Sequence, residues 1–195
     1  MPSPSILESN TDEELAAKIQ KGSEEALSLI IDRFEAKLLR YGRRFLGNQG
    51  DDALHQAVQD VFISAYQNIE GFNTQQRFSP WLYRIAHNAF IDILRQTTRQ
   101  PVYGIDLDTL ISHSVHEDQF AKEKENEEIR VLLEKSLGTL PDAKREIIVL
   151  YYFEELSYKE IADVLHIPIS TVGVRLARAR ESLKTVLPDP SLLPL

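Results

Sequence analysis

The sequence predicts an all-α protein of two small helical domains joined by a flexible linker. Three observations predict it. Residues 10–99 repeat apolar side chains at steps of three and four, the period of an amphipathic helix. Residues 100–122 lose that period and carry Pro101, Gly104, scattered aspartates and two histidines, the composition of a linker. Residues 140–187 then spell helix, turn, short helix, tight turn and an arginine-studded helix. The resulting division is a first domain over 8–99, a linker over 100–122, a second domain over 123–187 and a tail over 188–195.

In the first domain, Thr11 and Glu14 stand in capping-box relation and open a helix through Leu15 and Ile19. Gly22 and Ser23 break and restart the chain. Ala26, Ile30, Phe34, Leu38, Tyr41 and Phe45 then mark one face of a long helix. After the loop at 47–50, a helix from about 52 to 69 is expected to bury Leu54, Val58, Val61, Phe62 and Ala65. Residues 71–79 form a polar loop flanked by Phe72 and Phe78. Pro80 suits a first helical position, so the last helix of this half starts there and runs to about residue 99.

In the second domain, a helix from about 120 to 137 leads through Gly138 and Pro141 into the helix-turn-helix order. Ser157 and Glu160 repeat the capping box, and Ile161, Ala162 and Leu165 give the short helix an apolar face. Pro168 cannot continue that helix, and Ser170 can cap the next one. There Val172, Leu176, Ala179 and Leu183 form one stripe, leaving Arg175, Arg178 and Arg180 outside it. A helix that lies in the major groove needs such an apolar back and basic front.

Composition narrows the function. Of 195 residues 43% are hydrophobic, enough for packed cores. The absence of cysteine excludes disulfides and thiolate metal sites and fits a reducing cytoplasm. The longest notable apolar run, residues 147–153, falls far short of the roughly 20 residues that span a bilayer, so no membrane insertion is expected. The N-terminus lacks the basic-then-apolar order of a secretory signal. His55, His87, His113, His116 and His166 are scattered, and no phosphate-binding loop or nucleophile motif occurs. No catalytic residue, metal, cofactor or small-molecule substrate is therefore expected.

The net charge of −8 is unevenly spread. Residues 101–139 hold four basic and nine acidic side chains, whereas 71–99 carry four arginines against Asp92. Residues 166–187 carry three arginines and Lys184 against Glu181. Two basic segments joined by an acidic strap suit two contacts on one polyanion. A chain acidic overall should bind free DNA weakly, because phosphate neutralisation supplies most non-specific affinity. A partner that delivers it to DNA is expected.

Two segments of the first domain carry candidate contacts. The loop places Phe72, Asn73, Thr74, Gln75, Gln76 and Arg77 before a helix bearing Trp81, Arg84, Asn88 and Arg95. Single-stranded bases want rings to stack on and cations for their phosphates. Arg84, Asn88 and Arg95 share one helical face. Trp81 is either a stacking ring or core, Phe90 is core, and residues 73–77 are the better functional candidates. On the preceding helix, Gln56, Gln59, Asp60 and Ile63 form a second face, either merely wet or a docking surface for a partner.

These segments together resemble a bacterial sigma factor of the extracytoplasmic-function (ECF) type, the smallest branch of the sigma-70 family. The resemblance spans about residues 10–187 and is carried by AVQDVFISAY at 57–66, FSPWLYRIAHNAFIDILR at 78–95 and the segment 140–180, in register. It implies two modules, a region 2 bundle and a region 4 helix-turn-helix. Region 2 would dock Gln56, Gln59, Asp60 and Ile63 on the clamp helices of the largest subunit of core RNA polymerase. Its 72–79 loop would read a flipped base of the −10 element, while Trp81, Arg84, Asn88 and Arg95 hold the adjoining strand. The acidic linker would thread the polymerase channel. Region 4 would meet the polymerase flap and place Lys159, Ser170, Thr171, Arg175, Arg178 and Arg180 at the −35 element. The partners implied are core polymerase, promoter DNA and, as for many relatives, an anti-sigma factor.

The chain departs from the family where Gln56 replaces a frequent acidic residue and where Gly173-Val174 replaces a frequent Lys-Ser pair. Glycine there weakens the helix by up to about 1 kcal/mol and removes a cation. Two alternatives stay open from sequence: a stand-alone helix-turn-helix regulator, which explains 140–187 but not 57–95, and a decoy that binds polymerase but initiates poorly. An enzyme is the third class weighed, and nothing in the sequence supplies its chemistry.

Overall fold

The computed structural model describes residues 9–46, 51–98 and 136–186. These are helices and turns, with no strand among the described residues. The loop expected at 47–50, the linker at 100–122, most of the helix expected at 120–137 and the tail at 188–195 lie outside them. The chain divides into two compact units, residues 1–43 with 48–102, and the rest.

The first unit is built from α1 (Asp12–Ile19), α2 (Glu24–Leu46) up to Arg43, α3 (Asp51–Asn68), a 3-10 turn (Ile69–Gly71) and α4 (Phe78–Thr98). Both halves of the expected capping box at Thr11 and Glu14 are made. The backbone N–H of Thr11 and the Asn10 amide donate to the Glu14 carboxylate, holding it below the usual carboxylate range. Arg33 of α2 reaches back to the Asp12 carboxylate at 2.8 Å and the Asn10 carbonyl at 2.9 Å, tying α1 to α2.

The predicted stripe Ala26, Ile30, Phe34, Leu38, Tyr41 and Phe45 is buried throughout. So are Leu54, Val58, Val61, Phe62 and Ala65 of α3 and Leu82, Ala86, Phe90 and Leu94 of α4. Each large side chain removed from water contributes about 1.5–3 kcal/mol, which is why periodicity alone locates this core. The ring of Tyr41 packs against Tyr83 and Phe90 at 5.4 and 5.3 Å. Gly42, one residue on, lets α2 close against Leu54 of α3 and Phe90 of α4; an added Cβ would clash with Leu54 and stand 3.0 Å from the Phe90 ring.

The start of α4 corrects the sequence expectation. The helix begins at Phe78, two residues before Pro80. Proline is tolerated anywhere in the first turn, because those N–H groups have no intrahelical partner. The N–H of Phe78 finds one elsewhere, donating at 2.8 Å to the Glu13 carboxylate of α1.

The described part of the second unit comprises α5 (Asp142–Ile148), a π-helical turn (Val149–Phe153), α6 (Tyr158–Leu165) and α7 (Ile169–Val186). Arg145 is almost wholly buried: its guanidinium donates to the carbonyls of Leu137 and Leu140 and pairs with Asp142 at 3.2 Å. It thereby closes the turn at 137–140. The π-turn ends with Glu154 N–H donating to Val149 at 3.1 Å, and Glu155 follows at φ 53°. Ser157 and Glu160 form the predicted capping box. The apolar face of α6 differs in part from expectation: Ile161 and Val164 are buried, while Ala162 and Leu165 are half-exposed. Ile161 and Val164, three apart, point into the same side.

His166, at φ 54° and ψ 42°, ends α6 in the left-handed conformation, a cap that glycine or asparagine more often supplies. The sharp turn brings α7 across with Val172, Leu176, Ala179 and Leu183 buried, as the stripe predicted. Ser170 does not cap α7. The helix starts at Ile169, and the Pro168 carbonyl receives the Thr171 N–H at 2.9 Å. Lys144 of α5 donates to Ser182 of α7 at 2.9 Å, fastening the two helices.

Candidate nucleic-acid interface

In the first unit the polar loop stands on an aromatic platform. Phe72, Phe78 and Trp81 meet pairwise at 5.4, 5.1 and 5.4 Å, and Phe34 of α2 supports Phe78 at 5.7 Å. Phe72 is 4% exposed, which corrects its place among the base-contacting candidates: it is a foot of the loop, since its ring gains more by joining the core than by facing water. Trp81, for which sequence left stacking and core both open, is a half-buried ring packed at a tilt against Phe72 and Phe78. Phe90 is core.

Above the platform Asn73, Gln75, Gln76 and Arg77 are exposed and Thr74 is half-buried. Asn73 folds the loop on itself: its carbonyl accepts from Gln76 N–H at 2.9 Å and its side-chain oxygen from Gln75 N–H at 3.0 Å. The side chains of Gln75 and Gln76 thus leave a fixed turn toward solvent, with donors and acceptors of the kind that pair with base edges.

On α4, Asn88 and Arg95 are exposed and Arg84 is half-buried, so the predicted common face exists. Arg95 shares its charge with Asp92 at 3.2 Å, both well exposed. A pair of this kind is worth under about 1 kcal/mol and leaves the guanidinium able to change partners.

Gln56, Gln59, Asp60 and Ile63 all emerge on the exposed side of α3, with Gln56 donating to Asp60 at 3.1 Å. Ile63 is 55% exposed, and Tyr66, three residues on, is 51% exposed. Sequence reasoning missed Tyr66. Its signal was available: a large aromatic outside the buried set, continuing the row Gln59, Ile63 at helical spacing.

In the second unit α7 presents Ser170 and Arg178 as exposed and Thr171 and Arg175 as half-buried, with Lys159 of α6 exposed. Arg180 corrects the expectation that all three arginines face outward. Its Nε donates to the Tyr152 hydroxyl at 2.7 Å and its guanidinium lies 5.5 Å from the centroids of Tyr151 and Tyr152. The cause is the π-turn, which sets both tyrosines beside α7 where a planar cation can stack. Burial pushes the Tyr152 hydroxyl up, partly opposed by the Arg180 charge. Gly173 is buried beside Val172, so position 173 belongs to the packed side of α7 and not to its exposed row. Among the described residues, no cluster of three His, Cys, Asp or Glu side chains could hold a metal ion.

A helical bundle with a polar loop on an aromatic platform is thus followed in the chain by a helix-turn-helix whose last helix exposes Ser170 and Arg178. Residues 30–100 match Sigma-70 region 2, and residues 130–183 match Sigma-70, region 4. The chain is 35% identical over 183 residues to the ECF RNA polymerase sigma factor SigW of Bacillus subtilis, covering 88% of this chain and 94% of that one. It is 32% identical over 180 residues to the ECF RNA polymerase sigma-E factor of Escherichia coli, covering 89% and 92%. Among solved structures it is similar to CnrH in complex with the cytosolic domain of CnrY, with TM-score 0.66 and 26% identity over 91% of this chain and 97% of that one. The fold also matches the sigma factor RpoE of Bartonella quintana, with TM-score 0.59 and 22% identity over 82% and 94%. The chain belongs to the ECF sigma factors of the sigma-70 family. It is a transcription initiation factor that directs bacterial core RNA polymerase to promoters, and not an enzyme in its own right.

Proposed function

We propose a division of labour in which residues 8–99 bind polymerase and open the −10 element while residues 123–187 read the −35 element. The observation that carries it is the 73–77 loop, a polar turn fixed on a buried aromatic platform and exposing Gln75, Gln76 and Arg77. A base flipped out of the stack offers its pairing edge only to groups already in place, which is how such a loop gains selectivity. Asn73 shapes the turn, Thr74, Gln75, Gln76 and Arg77 meet the displaced strand, and Arg84, Asn88 and Arg95 hold its phosphates. Phe72 and Trp81 act through the platform.

Gln56, Gln59, Asp60 and Ile63 dock on the polymerase clamp helices, with Tyr66 extending the apolar part of that face. In the second module Lys159, Ser170, Thr171, Arg175 and Arg178 meet the −35 duplex, Arg180 stiffens the helix that carries them, and the same module meets the polymerase flap. Recognition helices contact base edges through their N-terminal residues, which favours Ser170 and Thr171 for bases and the arginines for phosphates. The protein works in the cytoplasm, where polymerase is, and no described helix is long and apolar enough to cross a membrane. CnrH was solved with the cytosolic domain of CnrY and RpoE of Bartonella quintana with the anti-sigma factor NepR, which supports a protein of the anti-sigma kind as a third partner of this chain.

The test is run-off transcription with purified chain and sigma-free core polymerase on genomic fragments, mapping transcript ends. Discrete starts sharing an upstream pair of motifs are expected. A stable complex with core but no starts would favour the decoy, and neither complex nor starts would refute the assignment.

A further inference from the structure

The loop has two feet, and one helix holds both. At its entrance, the side-chain amide of Gln20 donates to the carbonyls of Ile69 at 2.8 Å and Phe72 at 2.9 Å. At its exit, the Glu13 carboxylate accepts the N–H of Phe78 at 2.8 Å. Glu13 in the first turn of α1 and Gln20 at its C-cap, still in helical conformation, are seven residues and two helical turns apart, and so lie on the same face. These contacts span 49 to 65 residues of sequence, so they are tertiary clamps and not local turns. The chemistry at each foot is fixed. The partners of Gln20 are both carbonyl oxygens, which only a hydrogen-bond donor can satisfy, whereas the partner of Glu13 is an N–H, which only an acceptor can satisfy.

α1 is itself anchored, by Arg33 of α2 on Asp12 and on the Asn10 carbonyl. A continuous set of bonds thus runs from the core helix α2 through α1 to both ends of residues 72–78. Within the loop the turn made by Asn73 restrains the backbone. Five polar residues, four of them exposed, would with unclamped ends have to be ordered each time a base is bound, and pre-ordering them removes that cost.

We propose that Glu13 and Gln20 are positioning residues for −10 recognition: α1 is a bracket that holds the 73–77 loop in its base-reading shape. This rests on the loop being the −10 reader. α1 touches no base in this scheme and acts through the loop alone. Near-isosteric exchanges separate the roles. Glu13→Gln keeps an acceptor for Phe78 N–H, whereas Glu13→Ala does not. Gln20→Glu keeps the size but turns the double donor into an acceptor facing two carbonyls.

The experiment uses full-length chain in holoenzyme with core polymerase, on a promoter obtained by transcript mapping. Initiation is measured on that promoter and on a set with each −10 position changed singly, giving a discrimination ratio between preferred and altered bases. Gln75→Ala and Gln76→Ala serve as loop controls, and Trp81 fluorescence at the assay temperature shows whether the first unit is folded. Glu13→Ala and Gln20→Glu are expected to cut discrimination by roughly tenfold, the loss typical of one broken hydrogen bond to a buried or charged partner, and Glu13→Gln to stay within about threefold of wild type. If Gln20→Glu does not fold, Gln20→Met removes the donors without adding a charge.

A common-factor loss on all −10 variants with discrimination unchanged would overturn the proposal, since α1 would then only support the fold. Equal behaviour of Glu13→Gln and Glu13→Ala would overturn it for Glu13. If the loop controls leave discrimination unchanged, the loop is not the reader, and the bracket falls with that reading.

Discussion

Replacing Tyr152 by phenylalanine tests whether Arg180 is a structural arginine or a DNA contact. The change deletes one oxygen and keeps the ring, so the stacking of Arg180 at 5.5 Å survives while its 2.7 Å hydrogen bond is lost. A hydrogen bond to a charged group is worth about 1.5–3 kcal/mol. Both partners are half-buried and water can replace part of it, which brings the expected loss to about 1–2 kcal/mol. For a module of this size that lowers the midpoint of thermal unfolding by roughly 5–10 °C. Far-UV circular dichroism follows the melt, and the single tryptophan, Trp81 in the first unit, provides an internal control that should not move. A double-mutant cycle with Arg180→Ala should return a coupling of about 1 kcal/mol. The pH dependence has a defined sign. The hydroxyl is pushed above its ordinary value, so its contribution is complete below about pH 10 and is lost as pH rises through the higher folded value. Wild type should therefore lose stability in that alkaline range by a component absent from Tyr152→Phe. An unchanged melt, or a fully folded Arg180→Ala with lowered −35 affinity, would refute the reasoning.

Three further outcomes are expected. Gly42→Ala should destabilise the first unit by about 1–2 kcal/mol, because overpacking against Leu54 and Phe90 costs about 1–3 and the gain in helix propensity returns at most about 1; Trp81 fluorescence in denaturant reads it. Arg178→Ala should leave the melt within about 0.5 kcal/mol while lowering the salt slope of holoenzyme–promoter binding by about 1, the signature of one lost phosphate contact. Ile63→Asp should weaken binding to core polymerase by roughly ten- to a hundredfold, from an apolar contact of about 1.5–3 kcal/mol, with the fold intact because the side chain is 55% exposed; a titration of labelled chain against core measures it.

The helices were legible in the residues because their signals are local. The capping boxes at Thr11–Glu14 and Ser157–Glu160 need only residues three apart, and the stripes on α2 and α7 need only a period. The exposed face of α3 was legible for the same reason, with Tyr66 left out because a helix face has no sharp edge in sequence. What sequence could not show depends on partners far away in the chain. The start of α4 at Phe78 is stabilised by Glu13, 65 residues earlier, and Gln20 is an unremarked polar residue until Ile69 and Phe72 arrive beside it. Arg180 reads as one of three outward arginines because helical phase tells which side a residue is on, but not what stands there. The π-turn at Val149–Phe153 puts tyrosines in its path. Likewise Phe72 looks like a loop aromatic until Phe78 and Trp81 close around it. Periodicity and capping thus fixed which segments are helical and which faces are apolar. Which polar and aromatic side chains stay exposed and which are packed away was decided by long-range packing, since burial and hydrogen-bond partners are properties of the assembled core.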